Sequence, residues 1–466
     1  MSRGSHQLAV PSSDVHHPDP NVGQNANMQS HRPMIAAPRN SLDRRERGLI
    51  GLFLAVFIVK GILMAMFIPA WQGPDEPANF LAIANLASVE RLEPAAVAVR
   101  SSVEASDFWR LRAWALDFDQ PIYSGHEPSN TISLYNVVAI PAFGLGSLSS
   151  LEGSLMAIRV LSVCFGALTV WFVFLLARQL IIGGRSLPVL AASLVTLVPQ
   201  FGFISSTVNK DSMTAALGAG ALWGAVAWAR SRSNVLLWTT GALVVAGILT
   251  KPSFSGLATG PALIIGTLLI TLGRIRGPRK WALAVLGLVV GAGIVWQTNF
   301  PGYLSRIGRA EMEQAVRVTF RPATWWYVLP QAWGQFGWLN APLPSILNVV
   351  LVGLTGAAAV GMAVLLVRRG RALLREDPEG AICIAGLLTA IAAMTASVMF
   401  AEVLFGTQAR FWFPAIGAFA VLFPLGLAHL LPVLHRSLGV MAWFYLGVAL
   451  NVLVFVRVFP DRFGVL

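Results

Sequence analysis

Charge is what this sequence has least of. Only 12% of its 466 residues are Asp, Glu, Lys or Arg, against about a quarter in soluble domains. With 55% hydrophobic residues and a mean hydropathy of +0.66, that scarcity excludes a soluble enzyme. Cysteine is nearly absent. Cys164 and Cys383 both fall inside apolar runs, which rules out a disulfide framework and a cysteine metal site. Seven His are scattered without ligand spacing, four of them ahead of the first apolar run. Glycine is abundant, yet no glycine-rich phosphate loop is present, so a bound nucleotide is not expected. Short alternating strands, the signature of a membrane barrel, are missing too.

What remains is a series of continuous apolar runs approaching the roughly 20 residues that span a bilayer as a helix. The formal net charge of +12 is carried mostly by short basic clusters between these runs, not by a stripe on a soluble face. That pattern fits the positive-inside rule and excludes nucleic acid as the partner. The expected fold is an all-α polytopic membrane protein of about eleven spans with a long first extracytoplasmic loop.

Residues 1–47, rich in Ser, His, Pro and Asn, read as a disordered cytoplasmic tail. "DRRERG" then leads into a first span at 48–70, too late and too long for a signal peptide. A first outer loop follows at 71–155, with interfacial helices expected around "SSVEASDFWRLRAWALDFD". Further spans are expected at 157–177, 187–205, 211–229, 235–250, 254–272, 281–297, 345–367, 380–404, 411–432 and 438–458, with a second long outer loop at 298–344. Residues 459–466 form a short outer tail. With the N-terminus inside, Arg178 and Arg185, Arg230 and Arg232, "GRIRGPRK", "RRGRALLRE" and Arg436 all fall on the cytoplasmic side.

The outer face then collects a distinct set. Asp75 and Glu76 stand in "PDEP" just after the first span. Asn209, Lys210 and Asp211 come from "SSTVNKDSM", Lys251 from "LTKPS", and Glu402, Gln408 and Arg410 from "AEVLFGTQARFWFP". Arg159 lies near the outer start of the second span, and the late loop adds Trp333 and Trp338. Each has an ordinary role open to it. Asp211 suits a helix N-terminus. Arg159 and Arg410 can snorkel to headgroups, and tryptophans form interfacial belts. Lys60, in mid-span, must face the bundle interior or water, where an ion-pair partner would also suit it. The two prolines around Asp75 and Glu76 push Gly73 and Glu76 toward extended backbone. Fixed carboxylate height is what a general base needs, more than a solubilising charge does.

Four stretches in order, "PDEP", "IRVLSVCFGALTVWFVFLLAR", "PQFGFISSTVNKDSM" and "GTQARFWFP", with "WGQFGWLNAPLP" as a fifth, resemble a known family. It is the bacterial membrane family catalogued as domain of unknown function 2142, similar in turn to the GT-C glycosyltransferases. The resemblance covers residues 48–458. It implies a GT-C-like bundle in the plasma membrane, N-terminus cytoplasmic and C-terminus outside. It implies glycosyl transfer from a polyprenyl-phosphate sugar to a lipid, glycan or protein acceptor of the envelope, with inversion. Asp75 takes the role of acceptor-activating acid with Glu76 in support, Asp211 matches a second acid, and Arg159 an arginine of the second span. Arg159, Lys210, Lys251 and Arg410 are the candidate cations for a phosphate, and Gln408, Tyr135, Trp333 and Trp338 complete the candidate substrate set. No cofactor is required; a divalent metal next to Asp75 and Asp211 is compatible but not demanded. The chain departs from the family's pattern at Asn79, where His is common, and "HEPSNTISLYN" matches its tyrosine-rich run only at Pro128, Leu134 and Tyr135. A transporter or lipid flippase would instead place ionisable groups near the midplane between internal repeats. A non-catalytic assembly partner would need no reactive acid.

Overall fold

The computed structural model describes residues 42–87, 132–180, 186–271, 309–337, 339, 341–405, 408–435 and 437–463. Within them the regular structure is helical apart from one ribbon of two two-residue strands. Helices α1 (Arg44–Phe67), α2 (Glu76–Ala87), α3 (Leu134–Ser147), α4 (Leu151–Leu180), α5 (Ser186–Leu197), α6 (Pro199–Ser205) and α7 (Lys210–Ser231) form the first part. Next come α8 (Asn234–Thr250), α9 (Ser255–Thr271), α10 (Arg309–Phe320) and α11 (Pro322–Gly334). Strands β1 (Gln335–Phe336) and β2 (Ala341–Pro342) pair antiparallel. Then follow α12 (Ser345–Glu376), α13 (Pro378–Phe405), α14 (Ile416–Leu430), α15 (Ser437–Leu453) and α16 (Phe459–Phe463).

Among the described residues, eight helices are long and apolar enough to cross a membrane, nine if the bent pair α5–α6 is one span. The span expected at 281–297, the interfacial helices expected at 101–119, and residues 1–41 lie outside the described residues. One expected span needs correction. The run at 187–205 is not one straight helix. It bends by 61° at Val198, because Pro199 has no N–H to give back to the preceding turn. The run at 235–250 forms a helix of 17 residues, at the short end of what crosses a bilayer.

Helix α7 is the axis of the bundle. Of its most apolar stretch 89% is buried, against 17% for the span at Gly439–Phe463, which faces outward. In lipid, apolar burial between helices gains little, so close packing and hydrogen bonds hold such a bundle together. Gly218 shows the first. A Cβ there would lie 2.1 Å from the Pro414 carbonyl, so only glycine lets the tight turn Ala409–Ala415 press against α7. That contact delivers Arg410 to the end of α7. A second, smaller core of Trp71, Phe80, Tyr135, Phe143, Ile158 and Val208 lies beneath the "PDEP" turn and seats α2 and α3 on α4.

The two ends of the bundle differ. At one end the C-terminus of α1 and the N-termini of α4 and α7 meet around Asp75, Glu76, Arg159 and Asp211. At the other, Arg178 pairs with Glu46 at 3.3 Å, and Arg230 makes a two-pronged pair with Asp377 at 2.7 and 2.8 Å. Arg232 pairs there with Glu379.

Candidate functional site

The "PDEP" turn separates its two acids. Trp71 and Asp75 adopt left-handed backbone, φ 68° and 61°, a conformation uncommon outside glycine and strained for a bulky Trp. The Asp75 carbonyl accepts the Asn79 amide at 3.0 Å and so starts α2. The reversal at Asp75 sends its side chain outward, 41% exposed, while Glu76 turns inward and is wholly buried.

Glu76 and Arg159 saturate each other. Arg159 Nε donates to Glu76 Oε1 and Nη2 to Oε2, both at 2.8 Å. Its remaining N–H groups donate to the carbonyls of Ala65 and Ile68 at 2.7 Å and of Pro69 at 3.0 Å, which uses all five guanidinium donors. Glu76 also accepts the amides of Trp71 and Val208, each at 3.0 Å. Neither residue has capacity left for a substrate. The roles expected for Glu76 as catalytic support and Arg159 as phosphate ligand are therefore corrected. The pair is a buried clamp that ties the end of α1, the start of α2, α4 and the segment before α7 into one piece.

Above the clamp lies a second ion cluster, open on one side. Arg410 Nη2 donates to Asp75 Oδ2 at 2.7 Å, and Nη1 stands 3.5 Å from Asp211 Oδ2. Lys251 donates to Asp211 Oδ1. Gln408 Oε1 accepts from Arg410 Nε at 2.6 Å, so Gln408 aims the guanidinium. Phe411 lies under both cations, its ring centre 4.4 Å from Lys251 Nζ and 5.3 Å from the Arg410 carbon. Asp211 is buried, and among the described residues its Oδ2 has no hydrogen bond, only the longer Arg410 contact. Lys210, half-buried at the start of α7, makes no ion pair among the described residues, yet it is near enough to Asp75 to act on its charge.

Burial by itself pushes the Asp75 carboxyl up. Arg410, Lys210 and Lys251 outweigh this and hold it below the ordinary carboxylate range. Burial pushes the Lys251 ammonium down, and Asp211 beside it offsets this only in part.

Several assignments change. Tyr135 is not a substrate ligand: it is fully buried and its hydroxyl shares a hydrogen bond of 2.8 Å with Ser162. Trp333 lies in an apolar cavity, its indole N–H donating to Thr355 at 3.1 Å. Trp338 lies outside the described residues. Asn79 donates to the Val208 carbonyl at 3.2 Å, a structural tie. Asn209, placed on the outer face by the residue pattern but given no role there, proves central. Its Nδ2 donates to the Pro74 carbonyl at 2.9 Å and its Oδ1 accepts the Asp211 amide at 2.8 Å. Asn209, not Asp211, caps α7. Among the described residues no three His, Cys, Asp or Glu side chains gather as a metal donor set, and Asp75 and Asp211 are each taken up by a cation.

The cavity, about 390 Å³, reaches Ala409, which lies between Gln408 and Arg410 in the chain. Trp325, Leu329, Trp333, Trp412, Phe413 and Phe423 line it. The tight turn Ala409–Ala415 serves both places, supplying Arg410 to the ions and Trp412 and Phe413 to the cavity. Trp325 and Trp412 stack at 6.2 Å with planes 13° apart.

Fold and site together define a multi-pass helical membrane protein with a charged site at one end and an apolar cavity beside it. Residues 140–296, about a third of the chain, match the family described as dolichyl-phosphate-mannose-protein mannosyltransferase. That stretch holds Arg159, Lys210, Asp211 and Lys251. No curated protein sequence matches the chain. Among solved structures, two of the archaeal oligosaccharyltransferase of Archaeoglobus fulgidus are similar at 14% identity and a TM-score of 0.47. One, AglB in complex with an inhibitory peptide and a dolichol-phosphate, aligns over 91% of this chain and 56% of its own. The other, the apo form, aligns over 90% and 55%. The chain thus spans about half the length of those structures.

Proposed function

We propose that the protein is an integral-membrane glycosyltransferase that moves a sugar from a polyprenyl-phosphate donor to an envelope acceptor, inverting the anomeric centre. One observation carries this reading: Arg410 joins two acids from distant segments, Asp75 and Asp211, at the edge of an aromatic-lined cavity. The partial match to a family that by its name uses a dolichyl-phosphate sugar supports the donor class.

The chemistry follows from the charges. Arg410, Lys251 and Lys210 against Asp75 and Asp211 leave one net positive charge, since Glu76 and Arg159 cancel. A phosphodiester donor carries one negative charge and develops more as the sugar leaves. Preorganised cations stabilise that development. Lys210, unpaired among the described residues, is the cation free to meet the phosphate, with Arg410 held ready by Gln408. The acceptor hydroxyl becomes acidic as its oxygen bonds to the anomeric carbon, so even a carboxylate held below its usual range takes the proton. Asp75, part-exposed and ionised, is that base. Asp211 keeps Lys251 and Arg410 in place, and its open Oδ2 can accept from a sugar hydroxyl. The donor tail occupies the cavity, with Trp333, Trp412 and Phe413 against it. The end bearing Arg178, Arg230 and Arg232 faces the cytoplasm by the positive-inside rule, and the site faces away. We read the chain as a bacterial plasma-membrane protein of the family catalogued as domain of unknown function 2142.

The direct test is an assay of membranes or reconstituted protein with radiolabelled polyprenyl-phosphate sugars. Label is expected to move to an acceptor without added nucleotide sugar. If a panel of such donors gives no transfer while proteoliposomes show lipid flux, the transporter reading replaces this one.

The cavity makes a separable prediction. Gly356 lines it, and a Cβ there meets nothing within 4 Å. Gly356→Leu therefore starts its side chain in open space. It is expected to raise KM for a long-chain donor about tenfold while leaving a short-chain analogue unaffected, the loss of a few buried methylenes. Equal effects on both donors would remove the tail from the cavity.

The pH profile follows from the two perturbed groups. Asp75 is depressed, so its ionised form persists above the lowered value and is lost as pH falls through it. The acid limb of kcat/KM is expected below the ordinary Asp value of about 3.9. Lys251 is also depressed, so its charge is lost as pH rises through a value below about 10.4. Lys251→Arg, charged throughout, is expected to move the alkaline limb upward. An alkaline limb that stays put in Lys251→Arg would assign it elsewhere.

A further inference from the structure

Lys60 sits in the middle of α1, 7% exposed, with no acid beside it among the described residues. A lysine inside a membrane is costly, and this one takes no part in the chemistry above. Its ammonium lies in the crook of the bent pair α5–α6. Lys60 Nζ donates to the Thr196 carbonyl at 2.5 Å, and Asn451 Nδ2, from α15, donates to the Leu197 carbonyl at 2.7 Å. These are last-turn carbonyls of α5, which have no partner in their own helix. The Phe57 ring centre lies 5.3 Å from the ammonium. Gly202 of α6 closes the crook: a Cβ there would stand 2.8 Å from both Cε and Nζ of Lys60.

We propose that Lys60 is a built-in cation that holds the broken helix at its bend, with Asn451 as a neutral second cap, and so sets the position of the segment 206–211. Broken membrane helices leave a negative helix end in a water-poor interior, where bound cations sit in other folds. Here a tethered ammonium fills that place. What the bend positions is the site itself. Beyond it, Phe201 packs on Phe413 with ring centres 5.4 Å apart, Gln200 accepts the Gln335 amide at 2.8 Å, and Phe203 packs on Phe336 at 5.4 Å. Five residues past Phe203, Val208 binds Glu76, and beyond it Asn209 binds Pro74 and Asp211 meets Lys251. Lys60 is thus a positioning residue for the carboxylate cluster; the catalytic arm of this proposal rests on the function proposed above, its structural arm does not.

The experiment is hydrogen exchange of the full-length protein in lipid nanodiscs, paired with transfer kinetics. Lys60→Met keeps the length and removes the charge and the donor. Amide exchange across 206–211 is expected to rise about tenfold, as for an unsatisfied buried acceptor, with kcat falling similarly and KM for the donor little changed. Lys60→Arg is expected to recover most of both, and Asn451→Leu to show a smaller rise. Should Lys60→Met not accumulate, Gly202→Ala tests the same point from the other side, because its methyl displaces the ammonium. Unchanged exchange at 206–211 in whichever of these variants folds would overturn the proposal, whatever the activity. A rise in exchange without sugar transfer by the wild-type protein would uphold the positioning role and overturn the glycosyltransferase reading.

Discussion

Asp75→Asn is expected to lower kcat/KM for sugar transfer about a hundredfold to ten-thousandfold, the range over which a positioned general base acts, with the protein still folded. The fold does not depend on this carboxylate. The side chain is 41% exposed, and its one ion pair among the described residues is with Arg410. Asn tolerates left-handed backbone as well as Asp does, so the turn at φ 61° survives. The amide oxygen can still accept from Arg410, so geometry is kept while charge and basicity go. The unfolding midpoint of Asp75→Asn should therefore lie within a few degrees of wild type. Asp75→Glu, which keeps the charge but lengthens the arm, should fall between the two. If Asp75→Asn transfers sugar at the wild-type rate, the base lies elsewhere and the cluster is structural.

Much of this site is legible in the residue pattern, and the reasons it is not all legible are specific. Asp75, Lys210, Asp211, Lys251 and Arg410 could be grouped because span length and loop charge assign ends of helices to faces. The structure joins Asp75, Asp211, Lys251 and Arg410 through ion pairs and brings Lys210 near. What spacing cannot show is direction. Adjacent acids in a proline-flanked turn look alike in sequence, and only the left-handed backbone at Asp75 sends one outward and the other into the core. The same limit hid the fate of Arg159, whose five donors are used up by three carbonyls and one carboxylate. The bend at Val198 was readable in principle. Pro199 stands inside an apolar run of span length, and a proline there removes a backbone bond. Hydropathy reads through a proline without noticing it. Tyr135 enters the substrate set only through its partial match to a family run, while its burial comes from the small core it shares with Trp71, Phe80 and Ile158 of other segments.

The largest effect on folding should come from the clamp below the site. Glu76→Gln is expected to destabilise the protein by about 3–5 kcal/mol, the cost of stranding a buried charge. Arg159 would keep five donors and its full charge at a position 1% exposed, facing three neutral carbonyls and an amide. Gln cannot repair this, because one of its terminal atoms is itself a donor and would meet the Arg159 or Trp71 N–H. Removing both charges, as in Glu76→Gln with Arg159→Met, should cost less than the sum of the single changes, since no uncompensated ion remains. Unfolding of the purified variants in mixed detergent, followed by tryptophan fluorescence, measures each corner of that cycle. The clamp also fixes the Val208 amide and the "PDEP" turn, so the single variants should lose activity through misplaced Asp75 and Asp211 even where they fold. A Glu76→Gln protein as stable as wild type, or a double variant costing the full sum, would show that the two charges do not act as a unit and that Glu76 is free for chemistry after all.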